Sequence, residues 1–213
     1  MNQLLLLTML LPSAVDVPDG SLLVLKNSNK PVASWTGAEV THVAVVVHKG
    51  GQPWVYEATP AKVRQLPLPS YWKELAELNA RRDPETSVLL LRPKTSYSAD
   101  EVQRLKQSMN AQLGRRYSIK GYVRGKPSGG IHCAEFVSSA LASTGRFEFD
   151  EPHYAISPAE FYTQVRQKHE PAVRLTFKPK ASNDSWCSKT WKRWAGFSSW
   201  CSWACYESWT FCR

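Results

Sequence analysis

The stretch THVAVVVHKGGQPWVYEAT, residues 41–59, decides the fold. Two apolar runs, 41–48 and 53–59, flank KGGQ, and Gly-Gly between such runs marks a tight hairpin turn. Both runs are apolar at nearly every position, so the sheet they belong to is covered on both faces. With Gly50-Gly51 at the centre of the turn, Lys49 faces Gln52, Val47 faces Trp54, Ala44 faces Glu57 and His42 faces Thr59. Side chains alternate faces with period two. His42 and Glu57 therefore share a face as diagonal neighbours, with Cβ atoms roughly 7 Å apart. An imidazole and a carboxylate in strands this apolar are costly to bury unless paired.

Working outward, SLLVLK (21–26), SVLLLRP (87–93) and AVRLTFK (172–178) read as further strands, and PSYWKELAELNAR (69–81) as a helix. Ser98 and Glu101 form a capping-box pattern that opens a helix over 98–114, where Val102, Leu105, Met109 and Leu113 follow helical spacing and Gly114 ends it. Ser157, Pro158 and Glu160 open another helix over 157–165. The loop 114–130 between them is rich in glycine and basic residues. A local antiparallel hairpin with helices distributed around it predicts an α+β fold rather than a doubly wound sheet.

GGIHCAEFVSSAL, residues 129–141, holds the one cysteine of the chain body, Cys133. Cys133, Phe136, Val137, Ala140 and Leu141 share one face of a helix running to about Thr144, and that face packs on the sheet. A thiol at a helix start meets unpaired amides and a dipole that favour the thiolate. Gly129 and Gly130 let the backbone turn tightly and leave room for a substrate, and the Cys133 amide points at a developing oxyanion. Inert packing is the plain alternative for a buried cysteine. Joined to the hairpin pair, the set follows nucleophile–base–orienter logic: Cys133 attacks, His42 moves the proton and Glu57 holds His42. His153 in the loop EPHYAIS is the rival base. His132, as the neighbour of Cys133, is expected to point away from it.

The segments GSLLVLK, THVAVVV, WVYEATP, LGRRYS, IHCAEFVSSAL and ISPAEFY, in that order over residues 19–165, resemble the permuted papain-like cysteine hydrolases, the YiiX-like branch of the NlpC superfamily. The resemblance implies a papain-like, circularly permuted NlpC-type fold with the cysteine helix packed on a small antiparallel sheet or half-barrel. It also implies Cys133, His42 and Glu57 as nucleophile, base and orienter. The implied activity is amide or ester hydrolysis through an acyl-thioester, on substrates such as cell-wall peptides or lipid acyl groups. His132 departs from the aromatic residue expected there and is a candidate substrate contact. No cofactor and no metal are implied. The other readings are a lipid acyltransferase or acylhydrolase using the same Cys-His pair, and a non-catalytic module that binds an anionic polymer.

The chain has 213 residues, 43% hydrophobic and 21% charged, with a net charge of +9. That suits anionic partners. No zinc-finger, homeodomain or RNA-binding signature is present, so a nucleic-acid partner is not expected. Arg115 and Arg116, beside Cys133 in the basic loop, are candidates for holding a substrate carboxylate or phosphate. Residues 1–14, with an apolar run Leu4–Leu11 before Ser13 and Ala14, resemble a signal peptide without its basic start, which leaves export and a cytoplasmic location both open. Residues 15–180 form the domain. Residues 181–213 hold six of nine Trp and four of five Cys without periodicity. In an exported protein those four cysteines allow two disulfides, and the Trp with Lys/Arg suits contact with a membrane surface. The spacings lack a CxxC pair, which argues against zinc. Most residue types of the tail also share codons beginning with T, as an out-of-frame stretch would give.

Overall fold

The computed structural model describes residues 16–175, apart from 29–31, 35–36 and 80–85. The expected signal segment, the domain boundary near 180 and the Trp/Cys-rich tail lie outside the described residues.

The architecture is α+β. Six strands, β1 (Ser21–Lys26), β2 (Val40–Lys49), β3 (Gln52–Ala58), β4 (Val63–Pro67), β5 (Ser87–Leu91) and β6 (Val173–Leu175), form one antiparallel sheet in the order β4-β3-β2-β1-β5-β6. The helices are α1 (Leu68–Asn79), α2 (Ala99–Asn110), α3 (Lys120–Arg124), α4 (Cys133–Ala142) and α5 (Pro158–Val165). None of the described helices is long and apolar enough to cross a membrane.

Both faces of the sheet are covered, as the near-continuous apolar runs require. On one face Leu22, Val24, Val43, Val45 and Val47 meet Leu105 and Met109 of α2, Phe136, Val137 and Leu141 of α4, and Phe161 and Val165 of α5. On the other, Leu23, Leu25, Ala44, Val46 and Val55 meet Leu68, Tyr71, Trp72 and Leu75 of α1. Burying one such aliphatic or aromatic side chain stabilises by roughly 1.5–3 kcal/mol, so these two layers dominate the driving force.

The hairpin has the expected register, from Lys49 opposite Gln52 to Val45 opposite Tyr56. Gly50 and Gly51 adopt φ of 59° and 76°, the left-handed pair a two-residue turn demands. Both capping boxes form. Ser98 Oγ accepts from the Glu101 amide while Glu101 Oε2 accepts from the Ser98 amide, and Ser157 with Glu160 repeats the pattern.

Two elements depart from the expected list. β4 was not anticipated: Thr59 Oγ1 bonds to both the amide and the carbonyl of Lys62, closing a turn that returns the chain along β3. The basic loop also contains α3, which Gly125 ends in a left-handed conformation (φ 62°).

Candidate functional site

β2 carries His42 beside a bulge. Leu25 of β1 opposes His42, while Lys26 opposes Val40, so Thr41 is the extra residue. Bulges sharpen local twist and re-aim neighbouring side chains. Glu57 sits near the end of β3, where that strand pairs with β4 and places Glu57 opposite Arg64. His42 Nε2 and Glu57 Oε2 are 2.6 Å apart. The diagonal relation read from the hairpin brings these two groups into direct contact.

Cys133 opens α4, which packs on β2 and β3. The five residues expected on its inward face, Cys133, Phe136, Val137, Ala140 and Leu141, are all buried. The first amides of a helix have no intrahelical acceptor, so the Cys133 N–H is a free donor by geometry. Two imidazoles, those of His42 and His132, lie near enough to act on the thiol. With Nε2 committed to Glu57, Nδ1 is the His42 nitrogen left for the thiol. Cys133 itself is 2% exposed and the His42 side chain 15%, so solvent reaches the pair from the imidazole side.

The electrostatics favour charge separation. Burial opposes the thiolate, but hydrogen bonds from His132 and His42, and the charge of His42, outweigh it and hold the Cys133 pKa below its ordinary value. Burial likewise opposes a charged His42. Hydrogen bonds and charge from Cys133 and Glu57 outweigh that too and raise the imidazole pKa well above its ordinary value. Glu57 is 3% exposed; burial pushes its pKa up, and His42 with Arg64 pull it below the usual carboxylate range. These directions favour a thiolate–imidazolium pair backed by an ionised carboxylate.

His132 corrects the expectation that it points away from the thiol. It is the N-cap of α4, not a helical residue, with an extended backbone (φ −102°, ψ 172°) that lets its ring fold over the first turn. Its Nδ1 accepts from the Glu135 amide at 3.4 Å, and its Nε2 lies 3.2 Å from the Tyr154 carbonyl, to which it donates. Both ring nitrogens thus have backbone partners and Glu135 Oε2 stands 3.9 Å from Nε2, whereas His42 Nε2 meets a carboxylate oxygen at 2.6 Å. His153 lies elsewhere: its ring meets Phe149 edge-on, 5.5 Å between centroids.

The basic loop is built into the fold. The Arg115 guanidinium donates to the carbonyls of Ser128, Gly129 and Gly130 and to Gln112 Oε1, so it clamps the segment leading to Cys133 instead of standing free for a substrate. Arg116 is exposed and pairs with Lys62 in an isolated antiparallel β-bridge. Gly130 leaves no substrate space, because a Cβ there would lie 2.3 Å from Ser118 Cβ. Its missing side chain lets residues 116–118 run beside 129–131, joined by Ile131 N–H to Arg116 O and Ser118 N–H to Ile131 O. Gly129 does face open space.

Two side chains near the site escaped the sequence reading. Arg64 donates to Glu57 from Nε (2.8 Å) and Nη2 (2.6 Å). Tyr71 of α1 is buried, its hydroxyl lacks a hydrogen-bond partner, and burial together with the nearby Glu57 raises its pKa. Arg64 would have been found had β4 been recognised, since it is the residue directly opposite Glu57.

No family model matches this chain, and no curated protein matches it. Among solved structures it is similar to a protein described as metalloprotein yiiX from Escherichia coli O157:H7, at 14% identity and a TM-score of 0.54, over 78% of this chain and 100% of that one. The chain therefore has a YiiX-like fold.

Proposed function

We propose that this chain is a permuted papain-like, NlpC-type cysteine hydrolase that cleaves an amide or ester bond through an acyl-thioester. The observation that carries the reading is the 2.6 Å contact between His42 Nε2 and Glu57 Oε2, with buried Cys133 near enough to act on the same imidazole. The order of the elements, histidine strand before cysteine helix, supports the permuted assignment.

In this scheme the Cys133 thiolate attacks the substrate carbonyl, and the oxyanion forms beside the Cys133 amide at the start of α4. Collapse of the tetrahedral intermediate breaks the bond to the leaving group. The His42 imidazolium gives its proton to that amine or alkoxide, leaving a neutral ring and an acylated sulfur. Neutral His42 then takes a proton from water, whose oxygen attacks the thioester. The acid departs, and the proton on His42 restores the ion pair. Glu57 holds the ring in one tautomer throughout and stabilises its charged form.

The word metalloprotein in the description of the YiiX structure raises the question of a metal here. Among the described residues no group of three or more His, Cys, Asp and Glu side chains gathers to hold one. His42 Nε2 and both nitrogens of His132 already have partners. The donor set does not fit a metal, and the scheme uses only the chain's own groups.

Residue-resolved alkylation of the intact protein by iodoacetamide, read by peptide mass spectrometry, tests the reading. The expected result is labelling of Cys133 with an acid limb near its lowered pKa of about 6. His42→Ala should return that limb to about 8.5 and slow labelling at pH 7 by about 30-fold, the ratio of thiolate fractions. Labelling of the wild-type thiol that rises only near 8.5 would overturn the proposal. Turnover of a p-nitrophenyl ester, abolished by Cys133→Ala, tests the hydrolytic half.

A further inference from the structure

Glu57 is a buried carboxylate with two oxygens that do different work. Oε2 meets His42 Nε2, and Oε1 receives two donors from Arg64, Nε at 2.8 Å and Nη2 at 2.6 Å. The guanidinium is held in turn by Glu74 of α1, with Nη2 2.6 Å from Oε2 and Nη1 3.3 Å from Oε1. Strand register sets this up, because Arg64 stands directly across from Glu57 on β4. The fork geometry of arginine suits such planar locking in a way lysine cannot match.

We propose that Arg64 is a positioning residue for the Cys133–His42 pair, fixing the Glu57 carboxylate so that one oxygen faces the imidazole in both of its protonation states. The inference rests on the catalytic reading of Cys133 and His42. Its physical basis is the charge change during turnover. While His42 is an imidazolium, Glu57 has a cation at each oxygen. Once His42 gives up its proton, Arg64 is the cation that remains against Glu57. Without it, a carboxylate 3% exposed would favour taking a proton or rotating toward water. Either change would remove the acceptor that orients the ring. Arg64 is one-third exposed and Glu74 one-half, so the chain of contacts runs from the thiol to the surface of α1. The other titratable groups facing it are Tyr71 from α1 and His132 beside the thiol.

The test is the pH profile of Cys133 alkylation in the full chain, compared among wild type, Arg64→Gln, Arg64→Lys and Glu74→Gln. Deleting a positive charge acts oppositely on a thiolate and its imidazolium, so the bare charge effect largely cancels and a shift reports orientation. Arg64→Gln should move the acid limb upward by about one pH unit, about tenfold less thiolate on the acid side. Arg64→Lys, which keeps the charge and loses the fork, should recover part of that shift. Glu74→Gln should shift it in the same direction by less. A merely structural arginine would lower the melting temperature and leave the limb in place. A folded Arg64→Gln protein whose profile overlays wild type overturns the inference. Should Arg64→Gln fail to fold, Glu74→Gln decides: an upward shift supports the inference and an overlay overturns it. A wild-type profile without an acid limb near pH 6 overturns the catalytic reading itself, and this inference with it.

Discussion

The arginine–glutamate forks Arg146–Glu101 and Arg64–Glu57 differ in what the rest of each carboxylate touches. Arg146 donates from Nε and Nη2 to the two oxygens of Glu101, at 2.6 and 2.7 Å. Glu101 Oε2 also accepts from the Ser98 amide in the capping box of α2, and Arg146 spends further donors on the carbonyls of Thr95 and Ser96 above the Tyr97 ring. Every group there is a fixed charge or a backbone dipole near neutral pH. In the other fork, Arg64 places two donors on one oxygen of Glu57 and leaves the second for His42. Glu57 is also far more deeply buried, at 4% side-chain exposure against 17% for Glu101. The same ion pair fastens a helix end in one place and supports a titrating ring in the other. The spare oxygen makes the difference.

Neutralising each carboxylate tests that contrast, and the larger effect belongs to Glu57→Gln. The change leaves a buried imidazole and a half-buried guanidinium facing an amide. Breaking a buried ion pair typically costs 3–5 kcal/mol. Arg64 keeps Glu74, so about 3 kcal/mol is expected by denaturant titration. The reactive signature should move as well. Without the carboxylate the imidazolium loses a stabilising partner, and the acid limb of Cys133 alkylation should rise by at least about one pH unit. Full retention of that limb in a folded variant would reduce the Glu57 fork to the same fastening role as that of Glu101.

The two forks were unequally visible in the sequence. The capping box at Ser98 and Glu101 is local, and local spacing names both partners. His42 and Glu57 were legible because one hairpin with a Gly50-Gly51 turn fixes their register. Arg64 was not. VRQLP lacks strict alternation, and its strand is specified by the turn at Thr59–Lys62 and by bonds from Val63 to Gly114 and Arg115, residues about 50 positions away. Two features of the basic loop share that cause. Nothing in GRRYSIKGYVRGKPSGG states that the Arg115 guanidinium closes on three backbone carbonyls, or that Gly130 is needed because Ser118 lies against it. His132 departs from its expected direction for a simpler reason. Helical spacing does not hold for His132, which stands one position before the helix begins.

The smaller effect is expected at Glu101, and its pH dependence has a definite sign. Hydrogen bonds from Arg146, and then from the Ser98 backbone, lower the Glu101 pKa to about 2 from an unfolded value near 4.5. A folded-state pKa below the unfolded one contributes stability that is present above about 4.5 and is lost as the pH falls through about 2. Glu101→Gln should therefore lower stability at pH 7 by about 1 kcal/mol, the usual worth of a cap contact, and the melting temperature by about 2–4 °C for a chain of this size. The difference between variant and wild type should shrink as the pH falls from 4.5 through about 2, because the unfolded carboxyl takes up its proton near 4.5 while the folded one holds out to about 2. The alkylation profile of Cys133 should not move, because neither Glu101 nor Arg146 is among the groups acting on Cys133 or His42. A shift of that profile in Glu101→Gln would show that the helix-capping fork is coupled to the thiol, and the division drawn between the two forks would fail.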